Sequence, residues 1–175
     1  VNDFRTASVD GVGVDWPLSY EELSPFYDGV EADFGVAGQA GENPWEAPRR
    51  RRFPMPPLPF SYQARVLAGG LQKLGGHPLH GPLAIASAPY RGREACINCG
   101  FCMQGCRSTA KSTTLFTHVP LAEAAGARIL PESTAFRIEY DARRNRGSGV
   151  SYFDAQGRTH QIEAKLVVVA AHAVE

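Results

Sequence analysis

Four cysteines, Cys96, Cys99, Cys102 and Cys106, stand within one short stretch, and the chain has no others. Their C-x2-C-x2-C-x3-C spacing is the run with which small iron–sulfur proteins hold a cluster. Four readings compete. Structural zinc takes four such ligands, but usually as two pairs with a longer gap between them. Two disulfides, with Cys96 reaching Cys106, suit an exported protein. Free or redox-active thiols are the third reading. An iron–sulfur cluster held by three or four of the thiolates is the one the spacing favours, and it would make the segment a one-electron carrier. Arg91, Arg93, Arg107 and Lys111 flank the run and Glu94 is the one acid close by. Positive neighbours stabilise an anionic cluster and lower thiol pKa values. Gly92, Gly100 and Gly105 permit a tight wrap that brings backbone N–H groups to sulfur.

The elements that must position this loop are legible on either side. Ser19 with Glu22 is a capping-box pattern, and Ser24-Pro25 is a second helix-start signal. Phe26, Val30 and Phe34 share one apolar face, expected to pack in the core, with Gly35 as the stop. Residues 36–60 hold six prolines around Arg49-Arg-Arg-Arg52. No regular helix or central strand survives there, so the segment is expected to lie extended over a surface. The arginines read as a solvated face, with a phosphate or partner contact as the sharper option. Ser61 to Leu74 returns to helical period, Val66, Leu67, Gly70, Leu71 and Leu74 sharing a face before Gly75-Gly76. His77 and His80 read as packed or hydrogen-bonded, with metal ligation the sharper alternative. Pro120 to Ala125 is a short helix closed by Gly126. Strands are expected at 127–130, 134–140, 148–153, 159–163 and 165–171, with Phe136, Ile138 and Tyr140 half-buried. Asp154-Ala-Gln-Gly157 reads as a hairpin loop. The last strand is a continuous apolar run, as in a sheet buried on both faces.

The composition is that of an ordinary globular chain of 175 residues, 43% hydrophobic and 21% charged, with a formal net charge of zero. That balance argues against a general nucleic-acid binder. No apolar run approaches the roughly 18–20 residues of a membrane span. Val1 is not an initiator methionine, and the sequence stops just after its most hydrophobic run, so it reads as an internal stretch of a longer polypeptide. Compartment stays open between bacterial periplasm and cytoplasm. Two domains are expected: a helical and irregular segment over 1–126 carrying the Pro/Arg loop and the cysteines, and a β-meander over 127–175.

A set of phrases then points to a family. They are Asp15-Trp-Pro-Leu-Ser-Tyr20, Pro25-Phe-Tyr27 with Glu31, Glu42-Asn-Pro-Trp45 and Phe53-Pro-Met-Pro-Pro-Leu-Pro59. Ala95-Cys-Ile-Asn-Cys-Gly-Phe-Cys102, Gly105-Cys106, Ala110-Lys-Ser-Thr113, Val167-Val-Val-Ala-Ala171 and Ala173-Val-Glu175 complete them. With these the chain resembles the middle of glucose–methanol–choline (GMC) type flavin oxidoreductases, in the gluconate 2-dehydrogenase-like branch. The resemblance implies an α/β flavoprotein of the two-dinucleotide-binding-domain type, of which this α+β stretch is part. It implies FAD and oxidation of a CH–OH group of a sugar, sugar acid or alcohol. Electrons would pass to an external acceptor, such as a small or cytochrome subunit, with the cysteine centre as a relay. Thr134, Ala135 and Phe136 match the family segment whose backbone borders the adenine. Ala170, Ala171 and His172 match the place where the chain approaches FAD. The Gly-rich dinucleotide fingerprint would lie before Val1 and the catalytic histidine beyond Glu175, so no residue here is assigned a catalytic role. The alternative is an iron–sulfur or metal-binding module without catalysis of its own.

Overall fold

A 3-10 turn (Asn2–Phe4) and helix α1 (Thr6–Asp10) lead to helix α2 (Tyr20–Phe34) in the computed structural model, which describes residues 2–41 and 43–171. Val1, Glu42 and the closing His172-Ala-Val-Glu175 lie outside the described residues. Ser19 and Glu22 form the expected capping box. Glu22 N–H donates to Ser19 Oγ at 3.2 Å and Ser19 N–H donates to Glu22 Oε2 at 2.7 Å. Two donors at the helix start are thereby satisfied. Pro25 does not open a second helix. It sits inside α2, because the capping box has already fixed the start and the proline removes only one early hydrogen bond. Gly35 ends α2 at φ +63°, in the left-handed region that favours glycine.

The expected core face of α2 is a correction. Phe26 and Val30 are exposed, at 67% and 52%. Among the described residues no helix or strand makes more than slight contact with α2, so that stripe has nothing to bury against. The core of the first part is small: Ala37, Met55, Ala86 and Ala110, with Ile85, Tyr90, Cys96 and Cys106 packed on it.

The Pro/Arg segment also departs from expectation. It is irregular, as six prolines require, yet it contributes core rather than merely covering surface. Phe53 and Met55 are buried, and Ala37 bridges both Met55 and Leu83. Arg50, Arg51 and Arg52 face solvent as expected, but Arg49 turns inward. Its guanidinium lies 3.7 Å from the centre of the Phe53 ring, contacts both Glu31 carboxylate oxygens and reaches Glu46 Oε1 at 3.3 Å. The pairing raises its pKa against the opposing effect of burial, which is the larger single influence.

Helix α3 (Tyr62–Lys73) starts at Ser61, whose Oγ accepts Ala64 N–H at 3.2 Å. Its apolar face, Val66, Leu67, Leu71 and Leu74, is exposed. Helix α4 (His118–Ala124) is followed by Gly126 at φ +89°.

The chain divides into two compact units, Val1–Ala125 and Gly126–Glu175. The second is a three-stranded antiparallel meander, β1 (Thr134–Asp141), β2 (Arg146–Phe153) and β3 (Thr159–Glu163), in the order β1-β2-β3. The Asp154–Gly157 turn forms as read: Gly157 has φ +74°, and its N–H donates to Asp154 O at 2.9 Å. Gly149 lies so close to β3 that a Cβ would stand 2.3 Å from Ile162 O. Residues 127–130 and 165–171 are not strands among the described residues. A strand buried on both faces needs a neighbour and two covering layers. Here Leu166, Val168 and Val169 are exposed, and Phe136, Ile138 and Tyr140 are likewise more open than expected. The architecture is α+β.

Candidate functional site

The cysteine loop hangs from a short bridged frame. Ile85 pairs with Lys111 and Tyr90 with Arg93. Ala86 N–H donates to Ala110 O at 2.9 Å, and Cys96 N–H donates to Ala86 O at 2.8 Å. Between these anchors the backbone enters the left-handed region at Asn98, Gly100, Gly105 and Thr109. Repeated reversals of this kind wind the loop tightly while sending its side chains in different directions. Cys96 and Cys106 pack on the Ala86/Ala110 core, Cys102 is half-buried and Cys99 is exposed. Ile97, Phe101 and Met103 project into solvent.

Two sulfurs accept backbone hydrogen bonds. Asn98 N–H reaches Cys96 Sγ at 3.4 Å, and Lys111 N–H reaches Cys106 Sγ at 3.3 Å. The Lys111 N–H, joined by the Ser108 hydroxyl at 3.6 Å, holds the Cys106 thiol below its ordinary pKa by favouring the thiolate. The tight wrap forms with Gly100 and Gly105 at positive φ, but the N–H groups that reach sulfur belong to Asn98 and Lys111 and not to the glycines. Among the described residues no three His, Cys, Asp or Glu side chains form a group able to hold a metal ion, and all four thiols are free. No group of side chains among the described residues supports an iron–sulfur cluster. His77 stands edge-on to Trp45 and His80 stacks on Phe60 at 3.8 Å.

Three of the four flanking cations have partners of their own. Arg93 is buried and spans the frame. It donates to Phe34 O at 2.7 Å, Ser112 Oγ at 2.8 Å and Ala110 O at 3.2 Å. Burial lowers its pKa. Tyr90 OH donates to Ala32 O at 2.7 Å, and Ser112 Oγ donates to Phe34 O at 2.5 Å. A guanidinium and two hydroxyls thus cap the carbonyl end of α2, where positive charge is favourable. Arg91 pairs with Asp33 at 3.0 Å, and Lys111 Nζ donates to Cys102 O at 2.7 Å. The sequence reading missed the role of Arg93, because its carbonyl partner lies 59 residues away and no local period announces it. Gly35 was the available signal. A Cβ there would stand 2.5 Å from Arg93 Nη2, so the stop glycine also makes room for the arginine.

The residues matched to FAD lie in the second unit. Thr134, Ala135 and Phe136 open β1, an edge strand of the meander. The register shifts between Ala135 and Arg137, leaving Phe136 without a cross-strand partner. A bulge on an edge strand frees backbone N–H and C=O groups for a ligand. Phe136 stacks on Phe153 at 4.3 Å. Ala170 and Ala171 follow β3 in exposed, irregular chain, and His172 lies outside the described residues. Among the described residues no hydrogen bond or ring contact joins 134–136 to 170–171.

Comparison with known proteins bears on the same segment. The family model described as GMC oxidoreductase matches residues 85–175. The fructose dehydrogenase large subunit of Gluconobacter japonicus is 36% identical over 175 residues, covering 99% of this chain and 32% of the relative. The 2-methyl-1,2-propanediol dehydrogenase of Mycolicibacterium austroafricanum is 36% identical over 98% of this chain and 31% of its own length. The gluconate 2-dehydrogenase flavoprotein of Pantoea cypripedii is 29% identical over 90% and 29%. The chain thus spans about a third of the length of these curated relatives. With the cysteine frame, the meander and its bulged edge all inside the matched region, the chain belongs to the GMC oxidoreductase family.

Proposed function

We propose that this chain is part of an FAD-dependent oxidoreductase that oxidises a CH–OH group of a sugar, sugar acid or alcohol and passes the electrons to an external acceptor, such as a small or cytochrome subunit. The observation that carries the reading is the family match over residues 85–175, which contains both Thr134–Phe136 and Ala170–His172. The relatives support the substrate class by their names, a fructose dehydrogenase, a propanediol dehydrogenase and a gluconate dehydrogenase.

When bound, FAD would accept a hydride from the CH–OH carbon, the protein supplying binding and orientation. The backbone of Ala135 and the bulged Phe136 would hydrogen-bond the adenine edge. Ala170 and Ala171 would let the main chain lie against the cofactor, where larger side chains would hold it away. Behind the bulge the Glu139 carboxylate accepts the Ser151 hydroxyl and Arg137 Nε, the latter at 2.8 Å. Both interactions lower the Glu139 pKa, the serine contact most.

The test is the cofactor content of the full-length protein with Phe136→Pro against wild type. Proline at 136 deletes the N–H that the bulge frees. A flavin spectrum in wild type with weaker retention in the variant supports the reading. A full-length protein without flavin sinks it.

A further inference from the structure

One cleft of the second unit is unused by the reading above. It opens at the end of the meander where β1 turns into β2, with a volume of about 390 Å³, lined by Arg144, Arg146, Ser148, Gln161, Glu163 and Lys165. That volume falls in the roughly 300–1,000 Å³ range of small-ligand sites. Three cations face one carboxylate in it. Among the described residues neither Arg146 nor Lys165 has an ion-pair or hydrogen-bond partner for its side chain. Arg144 is held only by Asp141, at 3.7 Å and largely exposed. The same carboxylate already accepts Arg143 N–H at 3.0 Å and Arg144 N–H at 3.2 Å, so much of its charge is engaged.

We propose that this cleft binds a phosphate-type oxyanion, either free phosphate or the phosphoryl group of a small metabolite. Two guanidinium forks offer bidentate hydrogen bonds to such a group, and an ammonium adds a point charge. Ser148 and Gln161 add uncharged polar residues to the lining. Like charges gathered without partners repel one another, and a dianion relieves that repulsion as it binds. The cleft is not the segment assigned to FAD: Asp141 and Thr134 are opposite ends of β1, seven residues apart at about 3.3 Å each.

The test is calorimetric titration of the full-length protein at low ionic strength with inorganic phosphate and, separately, with a sugar phosphate. Single-site saturation is expected, at least about tenfold weaker in the Arg146→Gln/Lys165→Gln double variant. Arg143→Gln, outside the cleft, should bind within about twofold of wild type. Tighter binding of the sugar phosphate would assign the phosphoryl source, and equal binding would assign free phosphate. No saturable binding overturns the proposal, as does equal weakening in Arg143→Gln or equal competition by chloride at matched ionic strength. Both variants change exposed side chains, and an unchanged thermal midpoint separates lost binding from lost folding.

Discussion

Replacing Arg93 with alanine removes three hydrogen bonds, one to the end of α2 and two within the frame of the cysteine loop. The cost follows from what each acceptor keeps. Phe34 O retains the Ser112 hydroxyl, and Ala110 O retains Ala86 N–H. No carbonyl is orphaned, so the full desolvation penalty does not apply to either. Hydrogen bonds to a charged donor contribute about 1.5–3 kcal/mol each, and recovered hydration of the guanidinium offsets part of three of them. A net loss of about 2–4 kcal/mol is expected, which at a urea slope of about 2 kcal/mol/M moves the midpoint by roughly 1–2 M. Arg93→Lys keeps the charge but not the fork, and should lose about half as much. Arg91→Ala, which removes a half-exposed pair with Asp33, should lose less than about 1 kcal/mol. Urea unfolding followed through Trp16 and Trp45 reads the unit that holds Arg93. An Arg93→Ala midpoint within 0.5 M of wild type (about half the smallest expected shift), or no difference between Arg91→Ala and Arg93→Ala, would refute the capping argument.

Further outcomes follow from the same geometry. Gly35→Ala must strain a backbone at φ +63° and displace Arg93, so about 2–4 kcal/mol is expected in the same unfolding assay. Thr113 Oγ1 is buried and has no partner among the described residues, and Thr113→Val should be neutral or stabilising by up to about 1 kcal/mol; a loss above that would reveal a partner. Alkylation of Cys106, followed by peptide mass, should keep its rate to lower pH than in Ser108→Ala, because losing the hydroxyl contact raises the thiol pKa; identical profiles would contradict this. The carboxyl of Asp154 is held well below its ordinary range, first by His160 and also by Arg158. A depressed carboxyl stabilises the turn above its unfolded pKa and loses that contribution as pH falls through the folded one. Amide signals of residues 154–160 should therefore persist below pH ~4 and disperse only in stronger acid, while Asp154→Asn weakens them already at neutral pH.

The parts of the fold that were legible in the sequence are those fixed by local chemistry. Ser19 with Glu22, Ser61, Gly35, Gly126 and the Asp154–Gly157 turn each depend on residues within a few positions of one another. What escaped depends on partners far along the chain. Phe26, Val30, Leu67 and Leu71 follow a helical period that predicts a core, but periodicity does not say what covers the face. Residues 165–171 have the composition of a central strand, yet a strand is a pairing, and no described segment pairs with them. Arg49 and Arg93 read as surface or cluster-side charge because their carboxylate and carbonyl partners are 18 and 59 residues away. In the cysteine loop the expected tight wrap forms. The spacing also predicted that the thiols gather on one centre, and among the described residues they do not, because their directions are set by the left-handed turns at Asn98, Gly100, Gly105 and Thr109.

The most direct measurement is anaerobic titration of the full-length protein with fructose, gluconate and a short diol while its visible spectrum is recorded. A flavin absorbance that bleaches with one of these CH–OH compounds and returns when an artificial electron acceptor is added is the predicted result. A protein that carries no flavin, or a flavin that none of the three can bleach while a chemical reductant can, would contradict the proposed function.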